Sequence, residues 1–189
     1  MSDEEKDLFL IKAIANQDEA VFEEFVKKYQ SRIINLIYKY THSRHDAEEL
    51  AQDVFIKVWD SAPSFKARSK VLTWIYRIAI NTSLNYIKRK SLNFSIKLGD
   101  RTKDLVAPQK NQPEFLLIRS EREVMIEKAL ENLHPSQKTA FILSKYQNYS
   151  YAKIAEIMKI SIPAVESVLF RAKQKLREEL LPLKEKGEF

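Results

Sequence analysis

Apolar residues recur at steps of three and four from Glu19 to Tyr40: Phe22, Phe25, Val26, Tyr29, Ile33, Leu36, Ile37 and Tyr40. A helix brings such positions onto one face, and a stripe this wide has to be buried against other elements. Glycine occurs only 2 times in 189 residues. Tightly turned β architectures and glycine-rich phosphate loops are therefore poor fits. Hydrophobic residues make up 44% and charged residues 31%, enough apolar material for a packed core. The expected fold class is all-α.

The same reading places a second helix from Asp46 to Trp59, after the interruption Thr41-His42-Ser43-Arg44-His45. Its apolar stripe is Ala47, Leu50, Ala51, Val54, Phe55 and Val58, and Asp46 and Glu48 complement the dipole at its start. Ser61-Ala62-Pro63-Ser64 breaks the pattern, and a third helix follows from about Val71 to Lys90. Ser91 to Phe115 contains Gly99, Pro108 and Pro113 and has no sustained period. It reads either as a partly disordered linker or as a loop carrying a short helix. Periodicity returns near Leu116 and runs through Glu127, Leu130 and Leu133. Pro135 restarts a helix, and Asn148-Tyr149-Ser150 breaks it. Two more helices are predicted, Tyr151 to Met158 and Ile162 to about Leu181, ahead of Pro182 and a charged tail. The expected organisation is two small helical domains, 1–90 and 119–189, joined by a flexible linker over 91–118.

The formal net charge is +6, which suits a polyanionic partner without proving one. The chain has no cysteine, which excludes disulfides, thiolate catalysis and cysteine-ligated zinc. Met1 to Asp7 is mostly acidic and lacks the order of a signal peptide, and Val71 to Ile80, the most apolar stretch, is short and holds Arg77. A cytoplasmic protein without membrane insertion is expected. No catalytic constellation is visible, so neither an enzyme nor a cofactor is expected. His42 and His45 are spaced to share a helix face, yet no ligand cluster accompanies them. Turn residues are the plainer reading, and no metal is expected.

Three segments carry chemistry. In the first, Ser150 can cap a short helix with Ile154, Ala155 and Met158 inward. Lys159-Ile160-Ser161 turns, and Ser161 caps a second helix with Val165, Leu169, Ala172 and Leu176 inward. This is either an ordinary helical hairpin or a helix-turn-helix whose second helix enters a major groove. In the latter case Ser161, Pro163, Ala164, Glu166 and Ser167 face bases, while Arg171, Lys173, Lys175 and Arg177 meet phosphates. Glu166 can accept from cytosine and Ala164 can touch a thymine methyl.

In the second, Phe65 to Gly99 contains no Asp or Glu but holds Lys66, Arg68, Lys70, Arg77, Lys88, Arg89, Lys90 and Lys97, interleaved with Phe65, Trp74, Tyr76, Tyr86 and Phe94. Trp74, Arg77, Asn81, Asn85 and Lys88 share one helical stripe. Such a face either is a solvated basic surface or stacks on bases and contacts phosphates of a single strand. In the third, Asp46, Glu48, Glu49, Asp53 and Asp60 stand beside a lone Lys57. That face is either simply solvated or a docking surface for a basic protein.

These residues resemble a known family. Asp46-Ala-Glu-Glu-Leu-Ala-Gln-Asp-Val-Phe-Ile-Lys-Val-Trp59 is similar to the polymerase-binding segment of sigma region two. Thr73-Trp-Ile-Tyr-Arg-Ile-Ala-Ile-Asn-Thr82 resembles its promoter-melting helix. Tyr149-Ser-Tyr-Ala-Lys-Ile-Ala155 through Arg171-Ala-Lys-Gln-Lys-Leu176 resembles the region-four helix-turn-helix. The order and the short tether point to the extracytoplasmic-function (ECF) sigma factors. The resemblance implies a non-enzymatic factor that brings core RNA polymerase to promoter DNA. Asp46, Glu49, Gln52, Asp53, Phe55 and Lys57 would meet the clamp coiled coil, with the flap as a further contact. Lys66, Arg68, Lys70, Trp74, Arg77, Asn81, Asn85 and Lys88 would hold the melted minus-ten strand. Ser161, Pro163, Ala164, Glu166, Ser167, Arg171 and Lys175 would read the minus-thirty-five duplex. An anti-sigma factor is a further implied partner. The family usually carries a basic residue at Glu166 and an Arg at Val168, so the base contacts stay open. The alternative is a helix-turn-helix regulator that works without polymerase.

Overall fold

A computed structural model describes residues 2–99 and 121–185, and the side chains within 2–92 and 124–182. Among the described residues every regular element is helical. The chain divides into two compact units, Met1–Lys88 and Arg89–Ile154 with Ile160–Phe189, the five residues Ala155–Lys159 grouping with the first.

The first unit opens with a helix absent from the sequence reading, α1 (Asp3–Ala15). Ser2 and Glu5 form a reciprocal capping box: the Glu5 N–H donates to Ser2 Oγ at 3.3 Å and the Ser2 N–H to Glu5 Oε2 at 2.6 Å. Leu10, Ile11 and Ile14 are buried, and Lys28 Nζ donates to Asp7 Oδ1 at 2.7 Å, tying α1 to the next helix.

That next helix, α2 (Glu19–Thr41), starts where predicted, with Asp18 accepting from the Val21 N–H at 3.0 Å. It ends on His42, whose φ of 52° is left-handed. The third helix, α3 (Arg44–Ser61), begins two residues before the predicted start because Ser43 is its cap, accepting from the Asp46 N–H at 3.2 Å. His42 therefore terminates α2 while His45 sits in the first turn of α3, and the two do not share a helix face. A single 3-10 turn (Ala62–Ser64) leads through Ala67, φ 51°, to α4 (Val71–Gly99). Phe25, Tyr29, Ile33, Leu36, Ile37, Val54, Val58, Ile75 and Ala79 are all buried, and α2 packs along α3.

The predicted break after Lys90 does not occur: α4 continues to Gly99, the first strong helix breaker in its path. The remainder of the predicted linker, from residue 100, lies outside the described residues, as do Leu116 to Ser120 of the following periodic segment.

In the second unit, α5 (Glu121–Glu131) and α6 (Pro135–Lys145) pack on the long α8 (Ile162–Glu185). Ala129, Leu130, Leu133, Ala172 and Leu176 form their core, with Ile126, Phe141 and Leu180 against it. Pro135 occupies the first turn of α6 behind a His134 cap. Pro182 does not end α8, which runs three residues beyond it. The ring removes one N–H, and the carbonyl it would have met belongs to exposed Glu178, where water can replace it.

Candidate nucleic-acid interface

The first candidate surface is built on the loop before α4 and on that helix. Lys66, Arg68 and Lys70 are exposed, and Lys70 is ion-paired with Glu4. Phe65 packs on Trp74 with ring centroids 4.8 Å apart, leaving the indole half-buried. Along α4 the inner positions Ile75, Tyr76, Ala79 and Ile80 are buried, and so are Thr73, Thr82 and Ser83. The predicted stripe lies elsewhere: Arg77 is half-buried, with Nη1 3.4 Å from Ser69 Oγ, and Asn81, Asn85 and Lys88 are exposed. No acid stands on α4 itself, and the outward stripe presents two exposed carboxamides and the Lys88 ammonium beside a half-buried ring and guanidinium.

Asn81 and Asn85 also line a shallow groove of about 470 Å³ with Lys57, Asp60, Ser61, Ser64, Ile78 and Thr82, so one carboxylate stands beside the stripe, on α3 and not on α4. Lys57 Nζ donates to Thr82 Oγ1 at 2.8 Å, which draws its charge toward α4. Lys57, expected on the protein-docking side, therefore stands in the groove beside the two carboxamides. Its position follows from a partner 25 residues away, which local spacing does not reveal.

The second surface is the acidic side of α3. Glu49, Gln52 and Asp53 are exposed, and Glu49 lies 3.4 Å from His45 Nε2. Asp46 is half-buried and accepts from the Tyr86 phenol at 2.7 Å. Phe55 is only 6% exposed and packs in the core, so it supports this face from beneath instead of presenting itself on it. The apolar side chain that does stand out is its neighbour Ile56, 58% exposed, which the sequence reading did not single out.

The third surface belongs to α7 (Tyr151–Met158) and α8. Both predicted caps form: Ser150 Oγ accepts from the Lys153 N–H and Ser161 Oγ from the Ala164 N–H, each at 3.3 Å. The connecting turn needs a left-handed residue, and Lys159 supplies it with φ 55° in place of glycine. Val165, Leu169, Ala172 and Leu176 are buried as expected. On α7 Ile154, Ala155 and Ile157 are buried, while Met158 is only half-buried. Ser161, Pro163, Glu166, Ser167 and Arg171 are exposed; Ala164, Val168 and Lys175 are half-buried. Lys175 Nζ donates to the Asn132 carbonyl at 2.5 Å, so its charge is partly spent on α8's own packing. Phe170 is 69% exposed, far from the inward stripe, and was missed by a reading that looked for polar contacts.

Among the described residues no group of acids and histidines could hold a metal ion, and no helix is long and apolar enough to cross a membrane.

The described residues thus combine the acidic side of α3, the acid-free aromatic helix α4 and two capped helices, α7 and α8, joined by a tight turn. Residues 25–92 match the model of sigma-70 region 2 and residues 123–176 that of sigma-70 region 4. The ECF RNA polymerase sigma-E factor of Haemophilus influenzae is 32% identical, over 97% of this chain and the whole of the relative. The RNA polymerase sigma-H factor of Pseudomonas aeruginosa is 30% identical over 97% of this chain and 98% of its own length. The solved sigma factor RpoE of Bartonella quintana, in complex with the anti-sigma factor NepR, shares the fold, with a TM-score of 0.59, 24% identity and coverage of 84% of this chain and 96% of that one. This chain belongs to the sigma-70 family, within its ECF class of RNA polymerase sigma factors.

Proposed function

We propose that this chain binds core RNA polymerase and delivers it to promoters, holding the minus-ten element as a melted strand and reading the minus-thirty-five element as duplex. The module 1–90 would do the first, the module 119–189 the second, with 91–118 between them. One observation carries the reading: on an acid-free helix Asn81 and Asn85 are exposed, with half-buried Trp74 and Arg77 on the same stripe. Unstacked bases offer π-faces and free edges to such a surface, and holding a flipped base offsets an unstacking cost of a few kcal/mol. Lys66, Arg68, Lys70 and Lys88 would meet the backbone of the same strand.

Glu49, Gln52 and Asp53, with exposed Ile56 one turn further along α3, would dock on the clamp coiled coil; Asp46 would act by fixing α3 to α4. A contact of the second module with the flap accompanies this. Ser161, Pro163, Ala164, Glu166, Ser167, Arg171 and Lys175 would face the duplex. The protein works in the cytoplasm without catalytic groups or cofactor of its own. By analogy with the Bartonella quintana complex, an anti-sigma factor would restrain it.

Reconstituted run-off transcription tests the reading. Core polymerase plus this protein should start transcripts at discrete sites on a promoter panel where core alone does not. Tight sequence-specific duplex binding without polymerase, and no transcripts with it, would instead identify a conventional regulator.

A further inference from the structure

The exposed side of α8 carries an arrangement that a purely electrostatic grip on DNA would not tolerate. Glu166, Ser167, Phe170 and Arg171 line one shallow depression of about 450 Å³. They stand at i, i+1, i+4 and i+5, so successive turns bring them together on the side away from buried Val165, Leu169 and Ala172. Arg171 Nε is taken up by the Ser167 carbonyl at 3.2 Å, which steers the guanidinium along the helix and not onto the acid. Glu166 thus presents a carboxylate to whatever enters, with the ring of Phe170, 69% exposed, as its wall one turn on.

A carboxylate pressed against DNA is repelled by phosphate and loses its water. That loss is tolerable only where a donor replaces the water. In the major groove the amino group of cytosine is such a donor; adenine sets its amino group beside the N7 acceptor, which repels a carboxylate's second oxygen, and guanine and thymine show acceptors at the corresponding edge. Phe170 sharpens the choice: its ring excludes water from one side of the site, so a mismatched base leaves the anion unpaired instead of rehydrated.

We infer that Glu166, walled by Phe170, is a specificity determinant that demands a cytosine at one position of the duplex element. This deepens the proposed duplex reading by α8 and rests on it. Glu166 acts mainly by rejecting other bases, and neighbouring polar contacts set the register.

Selection from a duplex library randomised upstream of a fixed minus-ten element, with the full chain bound to core polymerase, tests this. The wild type should show one position fixed as cytosine, with replacement of that base costing about tenfold or more in binding. Glu166→Ala should flatten that position alone. Glu166→Gln should move it to adenine, since a carboxamide pairs with adenine's N7 and amino group. Phe170→Ala should reduce the cytosine preference without changing its identity. A clear upstream consensus unaltered by Glu166→Ala and Glu166→Gln would overturn the inference and leave α8 as the duplex reader. A library with no upstream preference at all would overturn both.

Discussion

The Tyr86 phenol donates a 2.7 Å hydrogen bond to an Asp46 carboxylate oxygen, joining the aromatic helix α4 to the first turn of α3. Lys57 and Thr82 make a second tie, at 2.8 Å, between the far end of α3 and the turn of α4 before Tyr86. The acidic side of α3 and the acid-free α4 are therefore tied by side-chain bonds. Removing the phenol oxygen leaves a half-buried carboxylate short of one donor. Tyr86→Phe should lower stability by about 1.5–3 kcal/mol in urea unfolding, the range for a hydrogen bond to a charged group. A variant as stable as the wild type would show that the bond contributes nothing in solution.

Neighbouring positions on α3 should separate folding from docking. Phe55, 6% exposed, fills core volume, and Phe55→Ala should cost about 3–5 kcal/mol. Asp53 is exposed, so Asp53→Lys should leave stability within about 0.5 kcal/mol. The same change should weaken the complex with core polymerase by tenfold or more, read by fluorescence anisotropy of labelled protein. Unchanged affinity would remove this side of α3 from the interface.

Phe55 also illustrates how far local pattern reaches. It belonged to the apolar stripe that predicted α3 and, through family resemblance, to the polymerase contacts; burial satisfied the first role at the expense of the second. Resemblance assigns Lys57 to the same face, but a hydroxyl 25 residues on draws it into the groove. Long-range partners of this kind leave no trace in periodicity. The helix α1 was legible in principle, since Ser2 and Glu5 have capping-box spacing and Asp7, Leu10, Ile11 and Ile14 recur at helical steps. The helices α2, α6, α7 and the start of α8 were readable because caps and apolar stripes agreed there. The far end of α8 was not, because a proline near an exposed terminus breaks less than its rank suggests.

Lys138 is 5% exposed on α6. Burial lowers its pKa, an effect partly offset by the Glu131 and Glu127 carboxylates. Between the lowered folded value and the ordinary lysine value of about 10.4 the unfolded chain binds more protons than the folded one. Stability therefore rises with pH across that window. Lys138→Met should raise the melting temperature at neutral pH and abolish that alkaline gain. Thermal unfolding at neutral and alkaline pH checks both; a lower melting temperature for the variant would mean that the amine's contacts outweigh its desolvation.

The claim on which the account rests is that the outward side of α4 holds melted bases and does not merely carry charge. Permanganate reactivity of promoter thymines, measured beside core-polymerase affinity, addresses it most directly for the Asn81→Ala, Asn85→Ala double variant. Strand opening should fall by tenfold or more while the affinity for core polymerase stays within twofold of wild type. Opening at the wild-type level, or an equal loss of opening and polymerase affinity, would contradict it.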